Sequence, residues 1–203
     1  MKKIITRQFG LRSFFQLMML ISLSLVFVGC QKEIAPANTS ARDAELQAAA
    51  PAKGTESIAA IAINQGFSEL VAALSYVDEE LNAGLVNLFL NGKDQYTVFA
   101  PTNEAFYALY KTLNVTKISE LPAPLVLSVL QYHVTGGRRA ANSVVPKNGE
   151  KTISTLLPNA TFSVNKMAEI TAVGNTANIV KANVSASNGI IHAIDAVLLP
   201  IKL

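Results

Sequence analysis

Apolar residues recur with a helical period soon after residue 57. Phe67, Leu70, Val71 and Leu74 stand at i, i+3, i+4 and i+7, one stripe of an α-helix. The pattern predicts helices over residues 57–65, 67–77 and 81–90, the last stopped by Asn91-Gly92. Residues 96–100 are β-branched and aromatic and predict a short strand. Thr102 is placed to cap the next helix, which has Glu104 in its first turn and Phe106, Leu109, Tyr110 and Leu113 along it. Pro122 and Pro124 suit the opening of a helix that runs through 125–132, and Gly136-Gly137 makes a turn. The period then shortens. Strands are predicted at 151–156, 161–165, 170–173, 178–183 and 190–199, with turns at Pro158-Asn159, Gly174-Asn175 and Asn188-Gly189. The last strand is apolar on both faces and should be central. A helix-rich first half and a strand-rich second half define an α+β fold.

The N-terminus has a different pattern. Lys2, Lys3, Arg7 and Arg12 precede an apolar run from Phe14 to Val28, interrupted only by Gln16, Ser22 and Ser24. Its 15 residues fall short of the roughly 20 that a spanning helix needs, so a secretory signal over 1–29 is the better reading, with an uncleaved anchor as the other. The run ends in Phe27-Val28-Gly29-Cys30, and Cys30 is the only cysteine. This resembles the lipobox of bacterial lipoproteins, in which a small residue precedes a cysteine that receives diacylglycerol. The resemblance implies lipidation at Cys30 and attachment to a membrane through the N-terminal lipid. Phe27 departs from the usual leucine. Gln31, where aspartate would resemble an inner-membrane retention signal, implies an outer membrane lipoprotein facing the periplasm or the cell surface.

Residues 31–56 are rich in alanine and punctuated by Pro36, Pro51 and Gly54, and Leu46 is the only large apolar side chain between Ala44 and Ala50. Residues 30–56 therefore predict a lipidated N-terminus and flexible stalk, about 25–30 Å in r.m.s. span. A helix packed on the domain is the alternative. Residues 57–203 form one domain.

Charge changes the picture once it is divided. The whole chain has 17 basic and 14 acidic residues, for a net charge of +3. From Cys30 onward there are 13 basic and 14 acidic residues, a net of −1. The basic excess belongs to the leader, and no basic stripe supports a nucleic-acid partner. One cysteine makes no internal disulfide and no multi-cysteine zinc site. The sequence has no Gly-x-Ser-x-Gly and no His-Glu-x-x-His. No catalytic residue, metal or cofactor is expected, and the protein is not expected to be an enzyme.

Three segments carry a resemblance. They are Tyr96-Thr97-Val98-Phe99-Ala100-Pro101-Thr102-Asn103-Glu104-Ala105-Phe106, then Leu130-Gln131-Tyr132-His133-Val134, then residues 188–200 from Asn188-Gly189 to Leu199-Pro200. In this order and spacing they resemble the fasciclin domain, over about residues 57–200. The resemblance implies a β-sandwich wedge with packed helices and a secreted or membrane-anchored adhesion module, often in extracellular matrices or bound to glycans. It implies no shared enzymatic activity. The expected function is a lipid-anchored envelope or cell-surface adhesion or matrix-binding module. The alternative is a non-adhesive periplasmic or envelope structural protein that binds a partner protein. Partners are a glycan or matrix protein.

Within that frame, Tyr132 and His133 are weak candidates for partner binding, because the family associates this region with receptor binding in some members. The residues themselves point to a structural role: His133, at a helix end, can bond terminal carbonyls, and its charged form suits the helix dipole. Arg138 and Arg139 follow the glycine pair on an expected exposed loop, as a solvated turn or as a contact for acidic polysaccharide or lipid headgroups. His192 lies in the last strand. Asp195, inside the same strand, needs backbone donors or a cation; it is either a structural acceptor or a partner-contacting edge residue.

Overall fold

The computed structural model describes residues 44–46, 48–49 and 51–202. The predicted leader, Cys30 and the first part of the stalk lie outside the described residues.

Three helices open the domain. Ser57 caps α1 (Ile58–Asn64) by accepting from the Ala60 N–H. Helix α2 spans Ser68–Leu81 and ends at Asn82, in the left-handed conformation at φ 50°. Helix α3 spans Leu85–Asn91. The helix expected over 81–90 thus begins only at Leu85, and the one expected over 67–77 runs on to Leu81. The Asp78 carboxylate is the reason: it accepts from the Leu85 and Val86 N–H groups at 2.7 and 2.8 Å, capping α3 from α2 across a tight connection. Strand β1 (Tyr96–Pro101) feeds α4 (Asn103–Leu113), which Thr102 caps through the Ala105 N–H. Asn103 does more than hold its own turn. Its side chain accepts from the Glu69 N–H and donates to Gly66 O, closing the start of α2 from 34 residues away. A 3-10 turn at Ile118–Glu120 precedes α5 (Ala123–Tyr132).

The strand-rich half follows. Strand β2 (Val134–Gly136) and the short helix α6 (Ala141–Val144) were not predicted. Strands β3 (Glu150–Ser154), β4 (Thr161–Asn165), β5 (Glu169–Thr171), β6 (Thr176–Ala186) and β7 (Gly189–Ile194) match the predicted strands within a few residues, apart from the end of β7. The last strand was expected to reach 199 but stops at Ile194. There Asp195 turns out to solvent and accepts from the Asn178 N–H and side-chain amide at 2.6 and 3.0 Å. Of its two expected roles, the structural acceptor is the one observed.

The strand order is β2-β1-β7-β6-β5-β4-β3. β7 is central, parallel to β1 and antiparallel to β6, and lies between them. Register shifts in β6 between Ile179 and Val184 bend the sheet. It folds over until Phe99 of β1 meets Phe162 of β4 edge-to-face, with centroids 4.9 Å apart. One bond joins the two ends, from the Leu156 N–H just beyond β3 to Val134 O in β2, at 2.7 Å. This gives the expected α+β wedge of folded sheet with helices packed outside.

Alternation along β1 divides the core. Val98 and Ala100 face the helices, together with Val77, Phe106, Leu130 and Ile191. Phe99 faces the fold of the sheet, with Tyr132, Ile153, Ile170 and Leu198.

The described part of the expected stalk lies on the domain. Leu46 is only 5% exposed and belongs to the inner sheet core. The Glu45 carboxylate accepts from the Ala182 N–H, and Glu45 O accepts from the Asn183 side chain. Gly54 N–H and Ala52 O both bond Ser185 Oγ. A Cβ at Gly54 would stand 2.3 Å from Ser185 O, so only glycine permits this approach. A free stalk from 31 to 56 is therefore corrected for the described residues 44–46, 48–49 and 51–56: one leucine in an apolar slot and a ladder of polar contacts offset the ordering cost.

Candidate functional site

Tyr132 and His133 end α5, and both side chains turn inward. Tyr132 is fully buried, its ring edge-to-face with Phe162 at 5.9 Å and its hydroxyl donating to Thr161 O at 2.7 Å. His133 is 2% exposed. Its Nδ1 lies 2.7 Å from Val129 O, and its Nε2 lies 2.8 Å from the Leu198 N. The Leu198 N–H only donates, so Nε2 is the acceptor and Nδ1 carries the proton. Burial holds the imidazole neutral and pulls its pKa from 6.5 to about 4, against the smaller upward pull of Val129 O. The expected charged form on the helix dipole is overturned, because desolvation outweighs the dipole here. His133 is a clasp: it ties the end of α5 to the C-terminal tail, 65 residues on.

His192 plays a similar part on β7. Its Nε2–H donates to Arg139 O at 3.0 Å, and its Nδ1 accepts from the Asn183 N–H at 3.3 Å. Its ring lies against Phe99, and burial lowers its pKa. In both histidines the two ring nitrogens are engaged by backbone groups.

The two arginines differ sharply. Arg138 was expected on an exposed loop, but its guanidinium reaches under the β6–β7 turn. It donates to Ala186 O, Gly189 O and Ser185 Oγ, and to Pro51 O in the N-terminal segment. Burial lowers its pKa. Arg138 is therefore corrected from a free contact to an internal tie, because four oxygens take its four Nη hydrogens. Arg139 donates from Nε to Gly136 O and remains half-exposed. Both arginines are half-exposed; Arg138 spends four side-chain bonds inside the domain and Arg139 one, so Arg139 is the more available of the two charged candidates.

An apolar cavity of about 100 Å³ lies beside His133, between α2, α4, α5 and the C-terminal tail. Its walls come from segments distant in sequence. The one legible signal was the excess of leucine and valine in α5, more than one helical stripe needs.

These features define an α+β fold of one folded sheet with helices packed outside it. Residues 65–200 match the fasciclin domain, and the chain belongs to the fasciclin-domain family. Protein sll1483 of Synechocystis is 37% identical over 169 residues, covering 82% of this chain and 86% of that protein. Immunogenic protein MPB70 of Mycobacterium bovis is 36% identical over 140 residues, covering 68% of this chain and 65% of that protein. Cell surface glycolipoprotein MPB83 of the same species is 33% identical over 147 residues, covering 68% and 57%. A solved FAS1 domain pair from the insect cell adhesion molecule fasciclin I aligns over 64% of this chain and 45% of that one, at 18% identity and a TM-score of 0.46.

Proposed function

We propose that this protein is a lipid-anchored module of the outer membrane, facing the periplasm or the cell surface, that adheres to a glycan or matrix protein. The observation that carries the reading is the fasciclin domain over residues 65–200. A relative named as a cell surface glycolipoprotein supports the placement, as does the Gly29-Cys30 junction after an apolar run. The protein acts by contact rather than turnover. Its signature residues Tyr132, His133 and His192 hold backbone groups of the fold itself.

Arg139 is the candidate contact side chain, fixed at the end of β2 and suited to acidic groups of a polysaccharide. The expected outcome for Cys30→Ser is loss of acyl labelling and release from membranes. Unchanged membrane partition would refute lipidation. Protease shaving of intact cells reads the orientation, and adhesion to acidic glycan or matrix coatings reads the activity. Arg139→Glu should weaken adhesion to an acidic coating without moving the melting temperature. Full adhesion by that variant would remove Arg139 from the contact. A surface-shielded protein without adhesion would favour a non-adhesive envelope protein that binds a partner.

A further inference from the structure

We propose that Asn148 is a site of spontaneous covalent modification, where the folded protein converts asparagine to aspartate and isoaspartate through a cyclic imide. The chain has three Asn-Gly pairs, at residues 91–92, 148–149 and 188–189. Glycine after asparagine leaves the backbone nitrogen open to the side-chain amide, because no Cβ stands in the way. The pairs are equal as sequence, and the fold makes them unequal.

Asn188 is locked. It is 5% exposed, its Oδ1 accepts from the Ile58 N–H at 2.8 Å, and its Nδ2 donates to Phe89 O at 2.9 Å. Gly189 is packed so closely beside β1 that a Cβ there would strike Tyr96 O. Asn91 is exposed but held in the last turn of α3. Its Nδ2 donates to Asn87 Oδ1 at 2.8 Å, and the Gly92 nitrogen, the atom that would have to attack, donates its hydrogen to Leu88 O at 3.0 Å. Asn148 differs on every count. It and Gly149 are exposed, in the segment between α6 and β3. Among the described residues, neither the Asn148 side chain nor the Gly149 N–H has a hydrogen-bond partner. Gly149, at φ 67°, stands in open space, with no atom within 4 Å of where a Cβ would lie.

The reaction needs only water. The Gly149 nitrogen attacks Asn148 Cγ, and the new N–C bond closes the imide. The Cγ–Nδ2 bond breaks, and ammonia leaves with the proton of the Gly149 N–H. Water then opens the ring. Attack at Cγ restores the original peptide bond and gives aspartate. Attack at the main-chain carbonyl leaves the chain running through Cγ and gives isoaspartate. Nothing is oxidised or reduced. Either product puts a new carboxylate just before Glu150, which opens β3 opposite Asn165 at the edge of the sheet. The register of β3 should survive, because Ile153 is fully buried and fixes which face turns inward. The modified molecule is therefore a folded, more acidic form. This reading is independent of the proposed adhesive contact at Arg139.

The test is to age the full chain at mildly alkaline pH, folded and in guanidinium chloride. Isoelectric focusing follows the acidic form, and peptide mapping after digestion in acid locates it. In the folded protein Asn148 should react first, giving both aspartate and isoaspartate, with the melting temperature unchanged. Asn188 should react at least about tenfold more slowly, because it is reached only through local opening of the fold. In guanidinium chloride the three pairs should react alike. Asn148→Ser should remove the leading acidic form. Earlier reaction at Asn91 or Asn188 in the folded chain, or persistence of that form in the serine variant, overturns the site. Aspartate without isoaspartate overturns the cyclic route. The same order of reaction in guanidinium chloride as in the folded chain overturns the role of the fold.

Discussion

Acid should loosen this fold through His133. The unfolded chain binds a proton at this residue below its ordinary pKa of 6.5, whereas the folded protein does so only below about 4. The sign follows from proton counting. Above about 6.5 neither state carries the proton, and the stability is fully present. As the pH falls through the window, the unfolded state gains a proton that the buried imidazole refuses, and stability falls until about pH 4. The gap of about 2.5 units, at roughly 1.4 kcal/mol each, sets the full loss at about 3 kcal/mol. His192 contributes in the same direction, so the two must be separated. Urea unfolding near pH 7.5 and near pH 4.5 should be compared for the natural protein and for His133→Gln, which does not titrate. The natural protein should lose about 2–3 kcal/mol more than the variant across that interval. Carbon-13 shifts of the His133 ring should stay those of the neutral Nδ1–H tautomer down to about pH 5. Parallel stability curves for the two proteins, or a ring that titrates near its ordinary value, would refute the account.

Three further outcomes test the packing. Arg138→Ala removes a guanidinium shared by four oxygens and should cost about 2 kcal/mol in thermal unfolding, with faster hydrogen exchange at the β6–β7 turn. Gly189→Ala places a Cβ 2.1 Å from Tyr96 O and should cost about 2–3 kcal/mol; a melting temperature equal to the natural protein's would show that β1 and β7 yield. Leu46→Ala should cost about 2 kcal/mol and move the first proteolytic cut into residues 44–56. Equal protection of that segment in both proteins would place its anchorage in the polar contacts of Glu45 and Ser185.

Much of the frame was legible because it is written in short-range patterns. The stripe of α2, the cap at Thr102 and the largely apolar last strand each need only a few neighbouring residues. The division of α2 from α3 was legible, but its place was not: Asp78 lies inside α2 and caps α3 with its carboxylate, so the break falls at Asn82–Gly84 and not at 78–80. Strand β2 has three residues and α6 four, too few to set a period. The site was less legible than the fold. Tyr132 and His133 stood out as a pair, but their burial depends on Thr161 and Leu198, far along the chain. Arg138 looked exposed for the same reason. Its acceptors in the β6–β7 region lie 47 to 51 residues away, and Pro51 lies 87 away. Leu46 was judged alone, as too little to hold a segment. It is held because the slot it fills is built by the rest of the domain.

The place of β7 also governs when this protein can fold. The strand is late in the chain, yet it lies between β1 and β6 and pairs in parallel with residues about ninety positions earlier, from Tyr96 with Gly189 to Pro101 with Ile194. Until Gly189–Ile194 has been synthesised, β1 lacks its parallel neighbour and the helices lack Ile191 beneath them. Contacts so distant in sequence form slowly and late. A nascent chain of this design therefore completes its sheet only once Gly189–Ile194 has emerged, and β1 waits for its partner through the whole synthesis of the strands between them.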